Sequence, residues 1–342
     1  MPQHSTMIPA ASAALYDATR GKAAVLDRSH RGRIFVKGAD RASYLQGLLT
    51  NDIAALSPGR GCYAAYLTAQ GRMISDMWVY EIGDVMLVTV EGDVKDTVLA
   101  KFDQFIFGED VQLGDVSDTI AQIAIVGPDA ARTIAQVVRV SESQLQALPE
   151  DGNLRVQSPA PVIVTRIDDV GVPGFELYVE RFDADRVLAS LRALGVPTLD
   201  QSIADTLRIE AGMPRFHRDM DEDTIPLEAG IESRAISRTK GCYVGQEVII
   251  RVLDRGHGRV ARRLVGIAFD GAVVPSKGDV IRSGDREIGT ITSATYSFAL
   301  QRAIALGYVH RDFVEPGTKV YVGSEAGPVG TVTALPFVAA AR

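Results

Sequence analysis

The sequence is poor in cysteine and in long apolar runs. Its only two cysteines are Cys62 and Cys242 among 342 residues, and no CxxC or HExxH spacing occurs. Two thiols cannot complete an iron–sulfur cluster or an all-cysteine zinc site, so we expect no metal to be bound by this chain alone. The longest apolar runs, Val85–Val90 and Ile120–Val126, fall far below the roughly 18 residues that a membrane span requires.

Positive charge is also scarce. Lys and Arg together number 36 and Asp and Glu 43, which gives a formal net charge of −7. An acidic chain is a poor general ligand for nucleic acid, so nucleic acid is an unexpected partner. The first thirty residues lack an apolar core behind basic residues, so no secretory signal is expected. These absences predict a cytoplasmic protein without a membrane partner.

Apolar residues make up 46% of the chain, enough to exclude a disordered protein. Periodic patterns predict α/β segments before Gly256 and a small antiparallel barrel or sandwich over 259–337, where short β-type runs alternate with turn residues. The segment 149–161 is rich in Pro, Gly and polar residues and is predicted to be a loop. Asp40 is predicted to be the N-cap of a helix over 41–49.

One local pattern occurs twice. A strand, a Gly-x-Asp turn and a helix follow one another at Gly38-Ala39-Asp40 and again at Gly127-Pro128-Asp129, 89 residues later. The repeat is a weak sign of two related α/β lobes. The alternative is coincidence, because Gly-x-Asp is common where a strand leads into a helix.

The segment Lys240–Glu247 (KGCYVGQE) places Cys242 between two glycines, beside Lys240 and before a predicted helix over 247–253. A thiol next to a cation and a helix N-terminus is expected to have a lowered pKa and to be more nucleophilic. The alternative is that Cys242 is a small buried filler, as free cysteines often are. Cys62, in the apolar run Cys62–Leu67, is expected to be a core residue.

KGCYVGQE resembles the signature of the folate-binding YgfZ family, which is related to the aminomethyltransferase T-protein of the glycine cleavage system. Further segments resemble both groups in the same order, and they are Leu26–Asp52, Gly171–Tyr178, Leu207–Pro214, Gly289–Ser293, Ile304–Tyr308 and Leu335–Phe337. The resemblance implies an α+β fold, a three-lobed ring of two mixed α/β lobes and a C-terminal antiparallel β-barrel. It implies a folate-binding region over 1–255 and a barrel over 256–342. Within the folate-binding region, one lobe would consist of about 22–50 together with 115–255, and the other of about 51–114.

The resemblance also implies a tetrahydrofolate site. Glu176 matches the glutamate that binds the pterin in the T-protein, and a carboxylate can accept the adjacent amino and ring N–H donors of a pterin edge. Arg208 matches an arginine that lines the same pocket, where it could orient Glu176 or contact the folate. The alternatives are an exposed strand glutamate at Glu176 and an ion pair of Arg208 with Glu210 or Asp205.

The T-protein carries two adjacent aspartates where this chain has Ser75 and Asp76. Asp76 is the remaining candidate for the carboxylate that acts in aminomethyl transfer, and the alternative is a polar residue on the outer face of a strand. The loss of one aspartate puts the transferase reaction in doubt. The signature loop Lys240–Glu247, with Gly241, Tyr243, Gly245, Gln246 and Glu247 around Cys242, belongs to the YgfZ side.

The resemblance to YgfZ proteins implies a tetrahydrofolate-binding protein that supports iron–sulfur cluster assembly or repair in other proteins and so affects tRNA modification. Its partners would be a reduced folate and iron–sulfur proteins or their assembly factors, with Cys242 as the functional thiol, tuned by Lys240. The alternative is a folate-dependent aminomethyltransferase or demethylase that uses Asp76. A third hypothesis is an RNA-binding or docking surface on the basic stretch 251–263, which includes His257.

Overall fold

The computed structural model describes residues 10–157, 160–256, 258–323 and 327–339. The helices are α1 (Ala10–Gly21), α2 (Arg41–Leu48), α3 (Lys95–Asp103), α4 (Ala130–Val137), α5 (Glu142–Gln146), α6 (Arg181–Ala193), α7 (Gln201–Glu210), α8 (Pro226–Ala229), α9 (Glu232–Ala235) and α10 (Gln246–Ile250). No helix within these ranges combines the length and the apolar character needed to cross a membrane.

The strands pair in antiparallel fashion. They are β1 (Ala24–Asp27), β2 (Gly32–Lys37), β3 (Arg60–Leu67), β4 (Met73–Glu81), β5 (Met86–Val90), β6 (Gln112–Asp115), β7 (Ile120–Val126), β8 (Asn153–Val156), β9 (Val162–Ile167), β10 (Gly174–Glu180), β11 (Arg262–Phe269), β12 (Val280–Ser283), β13 (Arg286–Ser297), β14 (Arg302–His310), β15 (Lys319–Val322) and β16 (Val329–Thr333).

The first sheet has the order β1-β7-β10-β9-β8 and carries helices on both faces. Ile123 and Ile125 of β7 pack with Leu191 of α6 on one face. The alternate residues Ala124 and Val126 share the other face with α1 and α7. Because side chains alternate along a strand, Glu176 of β10, which pairs with Ala124, lies on the α7 face.

The second sheet has the order β3-β4-β5-β2-β6. On β4, Met77 and Val79 enter the large core of this lobe. Tyr80 points the other way and packs with Tyr178 of the first sheet. Asp76 and Trp78, which alternate with Met77 and Val79 and share the strand face of Tyr80, therefore face the first sheet.

The C-terminal strands close a barrel in the order β11-β14-β13-β12-β15-β16. This confirms the predicted α+β fold class with a C-terminal antiparallel barrel. The barrel packs on α7, where Ile209 joins Leu306 and Tyr308 in one buried cluster.

The repeated turn has the same backbone geometry at both places. Gly38 and Gly127 have φ of +105° and +121°, and a Cβ at Gly38 would lie 1.8 Å from the carbonyl oxygen of Asp110. Only glycine fits such a position. The predicted side-chain cap is wrong, because the Asp40 carboxylate makes no capping hydrogen bond and accepts one from the backbone N–H of Asp110 instead.

Three other predictions differ from the structure. The predicted loop 149–161 contains the edge strand β8 (Asn153–Val156), which pairs with β9. The helix predicted over 247–253 begins at Gln246 and continues as a π-helix over Arg251–Arg255. Residues 32–37 were expected in one lobe with residues 115–255, but β2 pairs with β5 and β6 of the second sheet.

Candidate functional site

A cavity of about 730 Å³, including its open mouth, lies between the two sheets. It is a narrow slot, since only about 70 Å³ of it lies far enough from the walls to seat the centre of a water molecule. Arginines and carboxylates dominate its lining, and they are Arg28, Arg31, Asp76, Glu91, Asp169, Asp205, Arg208, Arg215 and Arg234. Three of the nine follow closely on a strand: Arg28 on β1, Glu91 on β5 and Asp169 two residues beyond β9.

Arg28 connects the cavity to the predicted pterin residue. Its guanidinium pairs with both carboxylate oxygens of Asp169, at 3.0 and 2.6 Å, and with Glu176 Oε1 at 2.9 Å. Burial opposes ionisation of Asp169, but Arg28 holds the pKa of that carboxyl below its ordinary value. This bidentate pair fixes Arg28 in the cavity wall.

Glu176 is buried, not exposed on its strand. Besides Arg28, its carboxylate accepts hydrogen bonds from Gln122 Nε2 at 2.8 Å and from the Tyr178 hydroxyl at 2.6 Å. Glu176 is not among the described residues that line the cavity, because Arg28 stands between them. The structure thus brings Glu176 to the site through Arg28.

Arg208 of α7 lines the cavity and does not touch Glu176. Its Nη1 lies 2.7 Å from Asp219 Oδ2 and its Nε 2.5 Å from Asp205 Oδ1. Its Nη2 donates to Ser293 Oγ of β13 at 2.8 Å. The ion pair of Arg208 with Asp205 was the alternative given to a role in the folate pocket. In the structure this ion pair belongs to a buried network that joins the cavity to the barrel.

Asp76 lies buried in the cavity wall, not on an outer strand face. The Tyr63 hydroxyl donates to Asp76 Oδ2 at 2.6 Å. Burial raises the pKa of Asp76 to about 6, and the nearby Glu91 adds to the rise. Ser75, at the position of the missing aspartate, turns its hydroxyl to the carbonyl oxygen of Asp76.

Glu91 organises two further arginines of the wall. Its Oε1 lies 3.1 Å from Arg31 Nη1 and its Oε2 lies 2.7 Å from Arg215 Nη2. Burial opposes ionisation, but the two guanidinium groups lower the pKa of Glu91 to about 2. The Arg31 guanidinium also lies 5.1 Å from the centre of the Trp78 ring.

The turn that carries Arg28 and Arg31 crosses from the first sheet to the second. It is held from behind by Arg33, a fully buried arginine that donates to the carbonyl oxygens of Arg31 at 2.6 Å and Ser29 at 3.1 Å. Buried backbone carbonyls need donors, so this side chain fixes the shape of the turn.

Several cavity residues had not been predicted from the sequence: Arg28, Arg31, Glu91, Asp169, Arg215 and Arg234. Arg28 and Arg31 share one turn, the other four come from separate segments, and the six together form no local motif. The available signal was a charged residue next to the end of an apolar strand, as at Glu91 after β5, and this pattern is also common in ordinary loops.

The signature loop Lys240–Glu247 lies apart from the cavity and supplies none of its described lining residues. The Lys240 ammonium donates to the carbonyl oxygens of Gln46, Leu49 and Asn51, at 2.6, 2.5 and 3.0 Å. Two of these carbonyls belong to the C-terminal turn of α2, where a cation is favourable. Burial lowers the pKa of Lys240 to about 8.

Some of the other residues of the signature loop anchor it to its neighbours, and others are in open surroundings. Tyr243 is buried and Gly245 has φ +83°, with a Cβ there 2.5 Å from the carbonyl oxygen of Thr68. Gly241 has open space around it. Gln246 and Glu247 begin α10.

Cys242 is exposed, which argues against the buried-filler alternative. Among the described residues no hydrogen bond joins it to Lys240, whose donors face α2. Cys62 packs against the core of the second lobe, as expected, and burial raises the pKa of its thiol to about 12.

The basic stretch is partly neutralised. Arg262 pairs with Glu228 at 3.2 Å and Arg263 with Glu232 at 3.1 Å. His257 lies outside the described residues.

Comparisons with known proteins cover nearly the whole chain. A family profile described as "GCVT N-terminal domain" matches residues 4–240, and one described as "Glycine cleavage T-protein C-terminal barrel domain" matches residues 262–338. An aminomethyltransferase of Rubrobacter xylanophilus is 32% identical over 323 residues, which cover 94% of this chain and 85% of that protein. One of Geobacillus kaustophilus is 31% identical over 314 residues, 90% of this chain and 84% of that protein.

The solved structure of glycine cleavage system aminomethyltransferase T from Bartonella henselae superposes with a TM-score of 0.85 over 96% of this chain and 89% of that chain. At 22% identity this likeness shows the fold. The matches do not single out the YgfZ group. They agree in one respect: the protein belongs to the glycine cleavage T-protein (GCVT) family.

Proposed function

We propose that the cavity between the two sheets binds a reduced folate. The cavity is a narrow slot lined by Trp78 and Tyr63, and this shape suits a flat ring held beside two aromatic side chains. The edge of a pterin carries both donors and acceptors. Two buried groups near this site have no partner among the described residues, the Nε of Arg31 and the Oε1 of Gln122. A mixed donor and acceptor edge would satisfy both.

Glu176 is our proposed pterin residue. Its Oε1 accepts a hydrogen bond from Gln122 Nε2 and forms an ion pair with Arg28 Nη1 at 2.9 Å, so two N–H groups face one oxygen. The amino group and the ring N–H of a pterin offer the same pair of donors. An exchange of one pair for the other would keep the carboxylate fully hydrogen-bonded and release Arg28 towards the ligand.

For the reaction, we propose that the methylene carbon of an aminomethyl thioether passes to the folate, as in an aminomethyltransferase. Two bonds form from this carbon to folate nitrogens, its bonds to the amine nitrogen and to sulfur break, and ammonia and a thiol leave with the two protons of the folate nitrogens. The observation that carries this is Asp76, a buried carboxylate in the cavity wall with one oxygen held by Tyr63. An ionised carboxylate at that place would orient the donor's ammonium group and stabilise positive charge as the transfer proceeds. The identity to several aminomethyltransferases supports this reading over the iron–sulfur role.

Folate binding is tested by anaerobic calorimetric titration with tetrahydrofolate. We expect saturable binding by the wild-type protein and about tenfold weaker binding by Glu176→Gln, since one charge-assisted acceptor is lost. Glu210→Gln is the matched control, because Glu210 is equally buried and hydrogen-bonded, to Tyr16 and Ser297, outside the cavity. Absent binding by a folded wild-type protein would contradict the proposal.

A second candidate function rests on the exposed thiol of Cys242. In this reading the protein binds tetrahydrofolate and supports iron–sulfur proteins, with Cys242 as a transient thiol. A Cys242→Ala variant should then fail to restore an iron–sulfur enzyme in cells that lack the protein, while its folate affinity is unchanged. Full restoration would remove this candidate.

A further inference from the structure

His30 lines the cavity but has no task in the proposed function. It lies in the turn between β1 and β2, is exposed, and is the one histidine among the described lining residues. The hydrogen bonds of the described residues include ring nitrogens of His217 and His310 but none of His30. Its imidazole can therefore meet a ligand in the cavity without giving up a contact within the protein.

The backbone under His30 is fixed. Arg33 donates to the carbonyl oxygens of the two residues that flank His30, Ser29 at 3.1 Å and Arg31 at 2.6 Å. A Cβ at Gly92 would lie 2.1 Å from the carbonyl oxygen of His30, so the turn packs directly against the chain that follows β5. Only rotation about its own side-chain bonds can move the imidazole within the cavity.

The surroundings of His30 keep its ring neutral. Arg28 and Arg31 lie on its own turn, and Arg215 faces it from the segment after α7. Glu91, which follows β5, partly offsets these cations. Burial and the Arg215 charge lower the pKa of His30 below its ordinary value. A neutral imidazole offers one nitrogen as a proton acceptor and the other as a donor.

The proposed transfer moves two protons. Both leave folate nitrogens as these bond to the methylene carbon, and they end on ammonia and on the thiol. A group that takes up a proton and returns it within one turnover works best with a pKa near the working pH. Asp76, whose pKa burial raises to about 6, is one such group in the cavity wall.

The other ionisable groups of the described lining do not fit this task. Arginine does not release its proton in proteins. Burial opposes ionisation of Glu91 and Asp169, but neighbouring arginines lower the pKa of Glu91 to about 2 and hold that of Asp169 below its ordinary value. Asp205 is held in an ion pair by an arginine of its own helix. Burial raises the pKa of Tyr63 well above its ordinary value, so its hydroxyl stays protonated. His30 is the remaining candidate.

We propose that His30 is the second proton carrier of the cavity. Its neutral imidazole takes the proton from one folate nitrogen as that nitrogen bonds to the methylene carbon. When the carbon–sulfur bond breaks, the electron pair stays on sulfur, and the imidazolium gives this sulfur the same proton. A thiol leaves and His30 is neutral again, while the second proton passes to the amine nitrogen. The assignment rests on the proposed function and adds a catalytic residue to it.

The test measures tetrahydrofolate-dependent release of ammonia from the aminomethyl thioether of mercaptoethanol in two variants. His30→Ala opens space for an external base, whereas His30→Gln fills that space with a side chain that cannot carry a proton. We expect both variants to lose about 10²-fold in kcat, with KM for tetrahydrofolate within about twofold of the wild-type value. Added imidazole should raise the rate of His30→Ala at least about tenfold, in proportion to its neutral form, and leave that of His30→Gln unchanged.

His310→Ala is the matched control. His310 ends β14 of the barrel and is not among the described residues that line the cavity. This variant should have the wild-type rate, with or without imidazole. If imidazole raised its rate as much as that of His30→Ala, the base would act elsewhere and the assignment would be overturned.

The remaining outcomes separate this inference from the proposed function. An unchanged kcat in His30→Ala, or a loss that imidazole does not repair, would overturn the inference while the proposed transfer stands. A higher KM with an unchanged kcat would also overturn it, because His30 would then only hold the ligand. A folded wild-type protein that binds tetrahydrofolate but releases no ammonia would overturn the proposed reaction, and the role of His30 with it.

Discussion

The cavity and the signature loop hold their cations in different ways. In the cavity, the Arg208 guanidinium is met by the carboxylates of Asp205 and Asp219. In the loop, the Lys240 ammonium is met by carbonyl oxygens, Gln46, Leu49 and Asn51. The first arrangement neutralises the charge and fixes its direction. The second only solvates it.

This difference separates two tasks. A planar guanidinium held by carboxylates presents its remaining donors in fixed directions, which suits recognition of a ligand. An ammonium on the last turn of a helix fastens one segment to another, and here it fastens the signature loop to α2 while Cys242 remains exposed. The geometry therefore favours the cavity over the signature loop for the proposed ligand recognition, and it favours an anchoring role for Lys240.

The largest effect on stability is expected at Arg208. Arg208→Met leaves the fully buried Asp219 carboxylate without its cation, so the free energy of unfolding should fall by about 3–5 kcal/mol. Urea denaturation measures it. Arg238→Met is the control, because the Arg238–Asp254 pair at 3.5 Å is exposed and is worth less than about 1 kcal/mol. Equal losses of unfolding free energy in the two variants would contradict the expected difference between a buried and an exposed ion pair.

A smaller loss is expected at Lys240. Lys240→Met removes the donor of three carbonyl oxygens, at an expected cost of about 1–3 kcal/mol in urea denaturation. If Lys240 anchors the loop and does not tune the thiol, the pH profile of Cys242 alkylation should be the same in Lys240→Met and in the wild-type protein. A profile displaced to higher pH in the variant would restore the tuning role.

The smallest effect on the free energy of unfolding is expected at His217. This residue forms, at the surface, ion pairs like the one that Glu91 forms with Arg215 in the cavity. Glu91 pairs with Arg215 in the cavity, and two residues further on Asp93 pairs with His217 at 2.7 Å, with Glu222 on the other nitrogen at 3.0 Å. Burial opposes protonation, but hydrogen bonds to these carboxylates raise the pKa of His217 above its ordinary value.

A raised pKa stabilises the fold fully at pH values below the pKa of the unfolded chain, about 6.5. That stabilisation is lost as pH rises through the pKa of the folded protein. His217→Gln should therefore cost less than about 1 kcal/mol at pH 5.5 and nothing measurable at pH 9. A cost that grows with pH in urea denaturation would contradict this account.

The sequence predicted the barrel and the repeated turn well, because both depend on local patterns. Alternating short strands between turn residues indicate a barrel over 259–337, and the positive φ of Gly38 and Gly127 is a local requirement that the pattern Gly-x-Asp reflects. The cap at Asp40 failed because Asp110, 70 residues away, competes for its carboxylate. The strand β8 was missed because its pairing with β9 outweighs a turn-like composition.

The candidate site also contains some residues that the sequence indicated and others that it did not. The resemblance led to Asp76, Glu176 and Arg208, and all three are buried at or beside one cavity. It did not lead to Arg31, whose importance depends on an unpaired Nε beside Trp78 and Glu91. Such a feature arises from three distant segments, and no spacing in the sequence encodes it.

If the cavity and not the signature loop performs the proposed chemistry, Asp76 is needed for turnover and Cys242 is not. We would measure tetrahydrofolate-dependent release of ammonia from an aminomethyl thioether in Asp76→Asn, Cys242→Ser and the wild-type protein. We expect the wild-type rate to rise with pH through about 6, because burial raises the pKa of Asp76 to about that value. We further expect a loss of about 10²–10³ in Asp76→Asn and a change within about twofold in Cys242→Ser. An unchanged rate in Asp76→Asn with a large loss in Cys242→Ser would contradict this account.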